Sequence, residues 1–572
     1  MEQTKAKSGH PKGLWYLFGT EMWERFGYYL MLGIFSLYML DNWNNGGMGF
    51  DAKKKSDIYG TYLGLVYLTP FIGGLLADRI LGYRRSIVMG GLMMAAGYFL
   101  LSVHNNTSFY VALFLIILGN GFFKPNISTM VGNLYSGDDM KDKKDAGYNI
   151  FYMGINIGAF ICNFVAAYMR INYGWGSAFA AAGVGMLVGV VIFLMGTKHI
   201  KHVDVVKPLK QGDMSTGRIL GLTVLPMFVF GILGYLIPGN FLGSDTNDAF
   251  IIGCLPVIGF FVFLAFKAEA AESRAIKALL AVFTCVILFF AIFHQNGDAL
   301  TVWAEDHTDR KMSESVAGVA DKLGMAQVVV NNDLVSADQA TFDAEIAKLR
   351  EQEAAMPKES IKDLQAKAEF ANKVGQLEKS RKYFATLPGD QIPEKGQNLK
   401  LYSTELYQSI NPFWVVVLTP VIVGIFGFMR RRNREPSTPS KIAIGLVITA
   451  LSALVMVGAV FATNDLTLKA GSFWLFASYM VITIGELCLS PMGLSLVSKL
   501  SPPRITALMM GGFFLAISVG NKLSGMLSGL WEDIEQKQNF FYLNFGLVLT
   551  AAIVLIAMLK WLNTVMRENN VK

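Results

Sequence analysis

The chain has 572 residues, of which 53% are hydrophobic and only 16% charged, with a formal net charge of +7. Its mean hydropathy is +0.41, which excludes an ordinary soluble globular protein. The basic residues gather beside apolar runs rather than in one patch, so the charge is not a nucleic-acid footprint.

The apolar runs are about 20 residues long, the length that crosses a ~30 Å hydrocarbon core. The class is therefore an all-α, multi-pass membrane protein. The first run is too long for a signal-peptide core and lacks a small-residue cleavage site, so no cleavable signal is expected. Cys162, Cys254, Cys285 and Cys488 all lie in apolar runs. They read as buried thiols rather than disulfides, metal ligands or nucleophiles.

Run length predicts about 14 spans. They fall near 14–40, 57–77, 85–103, 108–131, 147–170, 178–196, 219–237 and 248–266. The remainder fall near 277–300, 412–430, 441–462, 472–497, 505–529 and 540–562.

The first span carries Glu21, Glu24 and Arg25 at i, i+3, i+4, with Tyr28 and Tyr29 one turn on. A charge at bilayer depth costs roughly 2.5–3.5 kcal/mol on insertion scales. One Arg–carboxylate pair would suffice to lock two helices. The second carboxylate is a spare protonatable group, which proton coupling requires. The second span ends in the run Gly73-Gly74-Leu75-Leu76-Ala77-Asp78-Arg79-Ile80-Leu81-Gly82-Tyr83-Arg84-Arg85. Its small residues permit close helix approach, and its Asp and basic cluster can form a latch that differs between two states. Lys124 in the fourth span lies about 10 Å from its inner end, at the depth of the first-span acids. Pro125 beside it would kink that helix.

The pair 219–237 and 248–266 reads as a peripheral hairpin without transport chemistry. His294 and Asp298 sit at the outer end of the next span and read as structural. Residues 304–405 are rich in Ala, Glu, Lys, Gln and Asp. They predict a mostly helical module, with helices over Ala340 to Glu353 and Glu359 to Tyr383. Glu486 lies near mid-membrane without a balancing charge in its own run, so it faces a cavity or a base on the other half. Lys522 reads as snorkelling to the headgroups.

Basic residues recur in every second loop. They are Lys5, Lys7 and Lys12, then Arg79, Arg84 and Arg85, then Lys198, Lys201, Lys207 and Lys210. Next come Lys267, Arg274 and Lys277, then Arg430, Arg431, Arg432 and Arg434, and finally Lys499, Arg504, Lys560 and Arg567. By the positive-inside rule both termini face the cytoplasm. Lys53, Lys54 and Lys55 break the rule on the outer side. The expected units are an N-terminal six-helix bundle (1–200), a linker and central hairpin (201–275), a C-terminal six-helix bundle (276–303 and 406–572), and an extracytoplasmic insertion (304–405).

Several motifs together resemble one family. Glu21-Met22-Trp23-Glu24-Arg25-Phe26-Gly27-Tyr28-Tyr29 is similar to the ExxERFxYY motif of the proton-dependent oligopeptide transporters. Gly119 to Asn126, Phe151 to Gly158, Asn411-Pro412 and Gly485-Glu486-Leu487 agree. The two six-span halves and the Gly73-to-Arg85 loop resemble the major facilitator superfamily. The resemblance implies a major facilitator fold in a bacterial inner membrane. It implies proton-coupled uptake of di- and tripeptides by alternating access, a monomer, and no cofactor beyond the coupling proton. It places Glu21, Glu24, Arg25 and Glu486 in proton coupling. Arg25 and Lys124 would attract the peptide carboxylate and Glu486 its amine. Asn156 and Asn411 would hydrogen-bond its backbone. Tyr28, Tyr29, Tyr67 and Trp474 would line side-chain pockets. Gly73, Gly74, Asp78, Arg79, Gly82, Arg84 and Arg85 would form a cytoplasmic gate. Two positions depart from the family pattern: Leu32 stands where Arg or Gln is common, and His294 where Tyr or Glu is usual. The alternatives are a symporter of the same family for nitrate or a modified amino acid, and a membrane sensor using 304–405. No enzyme is expected, because no catalytic triad, metal cluster or phosphate loop converges.

Overall fold

The structure, a computed structural model, describes residues 9–136, 140, 143–205, 215–357, 360–502 and 505–569. Lys5, Lys7, Lys207, Lys210, Glu359 and Arg504 lie outside the described residues.

The first six long helices are α1 (Lys12–Leu40), α2 (Ala52–Leu76), α3 (Tyr83–Leu101), α4 (Asn106–Leu134), α5 (Lys144–Tyr173) and α6 (Trp175–Met195). A short α7 (Thr197–Ile200) follows, then α8 (Thr216–Leu222), α9 (Val224–Leu236) and α10 (Asp245–Lys267). Next come α11 (Ala270–Phe293) and α12 (Ala299–Asp306), separated by a 3₁₀ turn over His294–Gly297. The insertion holds β1 (Thr308–Asp309), α13 (Glu314–Lys322), β2 (Gln327–Val330), α14 (Gln339–Ala355), α15 (Ile361–Phe384) and β3 (Asn398–Leu401). The chain ends with α16 (Ile410–Arg431), α17 (Thr438–Ala462), β4 (Ala470–Gly471), α18 (Phe473–Leu500), α19 (Thr506–Gly529) and α20 (Lys537–Glu568).

Among the described residues, eleven helical segments are long and apolar enough to cross a membrane. Three more helices, α1, α3 and α19, have 29, 19 and 24 residues and pack among them. One apolar core runs from Leu14 to Val203 and joins α1 through α6. A second joins α10, α11 and α17 to α20, and reaches across to Leu68 of α2. The protein is thus a multi-pass helical membrane protein with two bundles, and the α2–α19 contact is the broadest between them.

Backbone approach within the first bundle is set by glycine. A Cβ built on Gly73 of α2 would lie 2.1 Å from the Gly121 carbonyl oxygen of α4. Gly73 therefore serves close packing of α2 on α4. Gly82 ends the following turn with φ of +79°.

The central hairpin differs from expectation. Its first arm breaks at Thr223 between α8 and α9, where Pro226 cannot donate to the Leu222 carbonyl. Its second arm, α10, is not peripheral. Phe250 packs on Gly64 of α2, and Leu264 and Lys267 line the central cavity.

The insertion is a small α+β unit with its own core of Val329, Phe342, Tyr383, Phe384 and Leu401. Its β2 pairs antiparallel with β3, and β1 pairs in parallel with β4 from the loop before α18. Strands of two to four residues are too short for periodicity to reveal. The two long predicted helices are present as α14 and α15, and Ser360 and Asp363 form a capping box that starts α15.

Gly73→Ala is expected to destabilise the fold by about 1–3 kcal/mol through overpacking, seen as a lower unfolding midpoint in detergent. An unchanged midpoint would show that α2 and α4 can part at this point without cost.

Candidate functional site

A cavity of about 1130 Å³ lies between the two bundles. It extends to Asp78 and Arg79, past the end of α2 that is remote from the insertion. Toward the insertion it stops at Gly33, Asn163, Gln408 and Gly297.

The first bundle supplies its charged wall. In α1, Glu21, Glu24 and Arg25 are buried together. Arg25 Nη2 donates to Glu24 Oε1 at 2.8 Å, and its Nε engages Glu24 Oε2 and lies 3.2 Å from Glu21 Oε1. Glu21 Oε2 has no hydrogen-bond partner among the described residues. One guanidinium thus serves two carboxylates. The Arg25 guanidinium lies 5.1 Å from the centre of the Tyr28 ring, and the Lys124 ammonium 4.1 Å from that of Tyr67. Such cation–π contacts satisfy a charge without consuming its hydrogen-bond capacity. Tyr28, Tyr29, Tyr67 and Lys124 all line the cavity, as does Asn156, whose Nδ2 donates to Tyr152 O at 3.0 Å.

The second bundle supplies the opposite wall. Glu486 of α18 accepts from Asn411 Nδ2 of α16 at 3.1 Å, and the same amide reaches Thr483 Oγ1 at 2.9 Å. Glu486 and Asn411 both line the cavity. Two cations therefore face one carboxylate across the space, with tyrosines between.

Both departures from the family pattern also line the cavity. Leu32 adds apolar wall. His294 is a cavity residue as well as a packing one: its ring stacks on Phe290 at 5.6 Å and meets the Tyr67 edge at 5.7 Å.

Trp474 is the misplaced residue. It stands at the insertion end of α18, against Gly458 of α17. Twelve residues separate it from Glu486, about 18 Å along a helix, and it does not line the cavity.

The motif after α2 divides by role. Gly74 faces Pro125, and Gly74, Asp78 and Arg79 line the cavity. Arg85 is exposed. Asp204, beyond α7, accepts from the Tyr83 and Arg84 amides at 2.8 and 3.2 Å, and Arg84 Nη1 lies 4.0 Å from its Oδ2. Asp204 caps α3 from 121 positions away. No local spacing could have announced it.

The seal on the insertion side was largely hidden from sequence reasoning. Lys522 does not snorkel: it is fully buried, with Nζ 2.6 Å from Asp57 Oδ1 and 2.5 Å from Thr61 Oγ1 of α2. Asp57 also accepts from Thr246 of α10. Lys55 pairs with Asp298, both buried. Arg170 of α5 makes a two-pronged pair with Glu405 at 2.8 and 2.9 Å. Asn163 Nδ2 donates to Ser409 Oγ at 3.0 Å. The Lys522–Asp57, Lys55–Asp298 and Asn163–Ser409 contacts join the first bundle to the second, Thr246 ties in the central hairpin, and Glu405 stands where the insertion meets the second bundle. The positive-inside exception at Lys55 was their one visible signal.

The broken helix between α11 and α12 contributes too. It frees the Gly297 carbonyl for Ser36 Oγ at 2.8 Å and the Asn296 carbonyl for Gln408 Nε2 at 2.8 Å. Small residues complete the seal, because Gly60 and Gly525 let α2 and α19 touch backbone to backbone.

The insertion bridges the same seam. It is covalently part of the second bundle's chain, yet Lys379 pairs with Asp41 at 3.0 Å. Arg350 reaches Asn45 Oδ1 at 2.9 Å. At its base, Lys469 Nζ donates to Asp306 O at 2.7 Å. Burial and the nearby Arg310 guanidinium hold the Lys469 amine down at about 8.

A family profile described as PTR2: POT family matches residues 84–325 and 396–543. The Di-/tripeptide transporter of Lactococcus lactis subsp. lactis (strain IL1403) is 29% identical over 566 residues, covering 96% of each chain. The Uncharacterized transporter YclF of Bacillus subtilis (strain 168) is 29% identical over 559 residues, covering 96% of this chain and 94% of that one. A crystal structure of peptide transporter POT in complex with sulfate aligns at 28% identity and a TM-score of 0.71. It covers 98% of this chain and 96% of that one.

Removing one member of a buried ion pair strands the other charge, at a cost of about 3–5 kcal/mol. Lys522→Met and Asp298→Asn are therefore expected to open the seam. In sealed vesicles, Ala159→Cys should then react faster with an impermeant maleimide added on the insertion side. The exchange Lys55→Asp with Asp298→Lys should restore protection. Single variants as unreactive as the parent would show that these pairs do not hold the seal.

Proposed function

The chain belongs to the POT family of peptide transporters, and we propose that it imports di- and tripeptides with protons by alternating access. The observation that carries this reading is the pair of poles in one cavity, Arg25 and Lys124 on one wall and Glu486 on the other. A short peptide is a zwitterion, and it needs a basic and an acidic pole with adaptable walls between. The peptide carboxylate docks toward Arg25 and Lys124, and its amine toward Glu486. Asn156 and Asn411 meet its backbone, and Tyr28, Tyr29 and Tyr67 meet its side chains.

Charge balance couples the proton. Glu21, Glu24, Arg25 and Lys124 together sum to zero. An arriving carboxylate competes for the two cations and leaves the cluster with excess negative charge. Protonation of Glu21 or Glu24 restores neutrality and releases Arg25 to the peptide. The peptide and the proton thus enter one state together.

The cavity is closed toward the insertion and reaches the opposite end, so the conformation is inward-facing if the insertion lies outside. Both termini are then cytoplasmic. The basic loops Arg84 to Arg85 and Arg430 to Arg434 lie at the cytoplasmic end in this orientation, which supports it. The sealed seam opens and the cytoplasmic end closes in the other half of the cycle.

The test is uptake of labelled di-alanine into proteoliposomes, with and without an inward proton gradient. Gradient-driven uptake blocked by unlabelled di- and tripeptides is expected. Glu24→Gln should abolish accumulation against a gradient while leaving binding measurable. Glu486→Gln should raise KM for di-alanine roughly 10-fold or more, since a hydrogen bond to a charged group contributes about 1.5–3 kcal/mol. It should affect an N-acetylated dipeptide far less. Full gradient-driven uptake by Glu24→Gln would overturn proton coupling through this cluster. Folded protein that moves nitrate or a modified amino acid but no peptide would overturn the substrate.

A further inference from the structure

We propose that α13 of the insertion is an interfacial anchor that lies in the lipid headgroup layer beside α5. Among the described residues of 304–405, the large apolar side chains left exposed are Val316 and Val319 on this helix and Leu323 at its C-terminal cap. Val319 and Leu323 are 58% and 56% exposed. The spacing i, i+3, i+7 puts all three on one face. The adjoining flank is already used: Ala317 and Ala320 pack on Met312, Ala326 and Tyr402. The exposed stripe therefore has no partner among the described residues. By contrast the described exposed residues of α14 and α15 are polar residues and alanines, with no larger apolar side chain among them, as a water-facing helix should have.

The position of α13 identifies its partner. The residue after Leu323 is Gly324, whose carbonyl accepts from Asn172 Nδ2 at 2.8 Å. A Cβ at Gly324 would lie 3.1 Å from the Tyr168 ring. Asn172 and Tyr168 belong to the last turns of α5, a membrane-spanning helix. Along α5, Ile161, Phe164 and Tyr168 form an exposed apolar stripe at the same i, i+3, i+7 spacing, ending at exposed Tyr173. Tyrosines at the end of such a stripe mark the membrane–water interface. The α13 stripe continues the lipid-facing stripe of α5 at that level. Its polar residues fit the same placement, because Asp321 pairs with Lys400 at 2.9 Å on the insertion side. A nine-residue helix with one apolar face and charged flanks is suited to lie in the interface rather than to cross it.

The four native cysteines are all buried, so an introduced surface cysteine can be labelled selectively. Val319→Cys and, separately, Leu323→Cys carry an NBD fluorophore in full-length protein reconstituted in phosphatidylcholine–phosphatidylglycerol vesicles. Asp390→Cys, on an exposed turn of the insertion, is the water-facing control. The α13 labels are expected to emit to the blue of the Asp390 label. They should be quenched at least twofold more by lipids brominated near the carbonyl end of the chain than the control is. Water-like emission with no lipid quenching at both α13 positions would overturn the anchor. So would blue-shifted emission without lipid quenching, together with disulfide-linked dimers of the unlabelled Val319→Cys variant on oxidation, which would assign the stripe to a second copy of the chain.

Discussion

A charge inside a bilayer has two ways to survive: an opposite charge within reach, or water. The low dielectric that makes an unpaired charge so expensive also makes a good pair rigid. This constraint orders the protein. Lys55, Asp298, Lys522, Arg170 and Glu405 take the first route and weld the two bundles together at the insertion end. Lys124 and Glu486 take the second route and face the cavity. Arg25 and Glu21 combine both: they are paired on a wall that borders the cavity, with Glu24 buried behind them on the same guanidinium. Structural charges and working charges are thus separated by depth along the same helices.

The separation has a geometric cause. Helices α1, α2 and α5 run through both zones, so a shift that parts the seam also moves the cavity wall. Arg25 and Ser36 sit on one helix, eleven residues apart. Asp57 and Tyr67 sit on another. On the proposed function, a peptide that changes the charge balance at Arg25 would act on a helix whose far end holds the Ser36 contact to Gly297. No wire of intermediate residues is needed, because each bundle is packed around one continuous core. The 3₁₀ break after α11 places His294 in the cavity and the Asn296 and Gly297 carbonyls in the seam within four residues.

Most of the fold was legible in the sequence, since apolar run length and loop charge report directly on the bilayer. The cavity residues were legible because polar groups at depth are costly and so stand out: Glu21, Glu24, Arg25, Lys124 and Glu486 could hardly be missed. Trp474 was misassigned because an aromatic residue in an apolar run costs nothing, and the register of its helix against the cavity is a tertiary property. Lys522 was misread for a related reason. A lysine near a helix end either snorkels or pairs, and its partner Asp57 lies 465 positions earlier. The same holds for Asp204 at the start of α3. Residue identity announces that a charge needs a partner, and only the packing of distant segments decides which one it finds.

The pairs at the insertion end share one further property. They lie at the same end of the molecule, and the insertion is fastened beside them to Asp41 and Asn45 of the first half. Each is buried, so water admitted at one pair costs that pair most of its strength. Several such fasteners must be lost before the two bundles part. The closure at the insertion end should therefore behave as a latch with a threshold rather than as a spring.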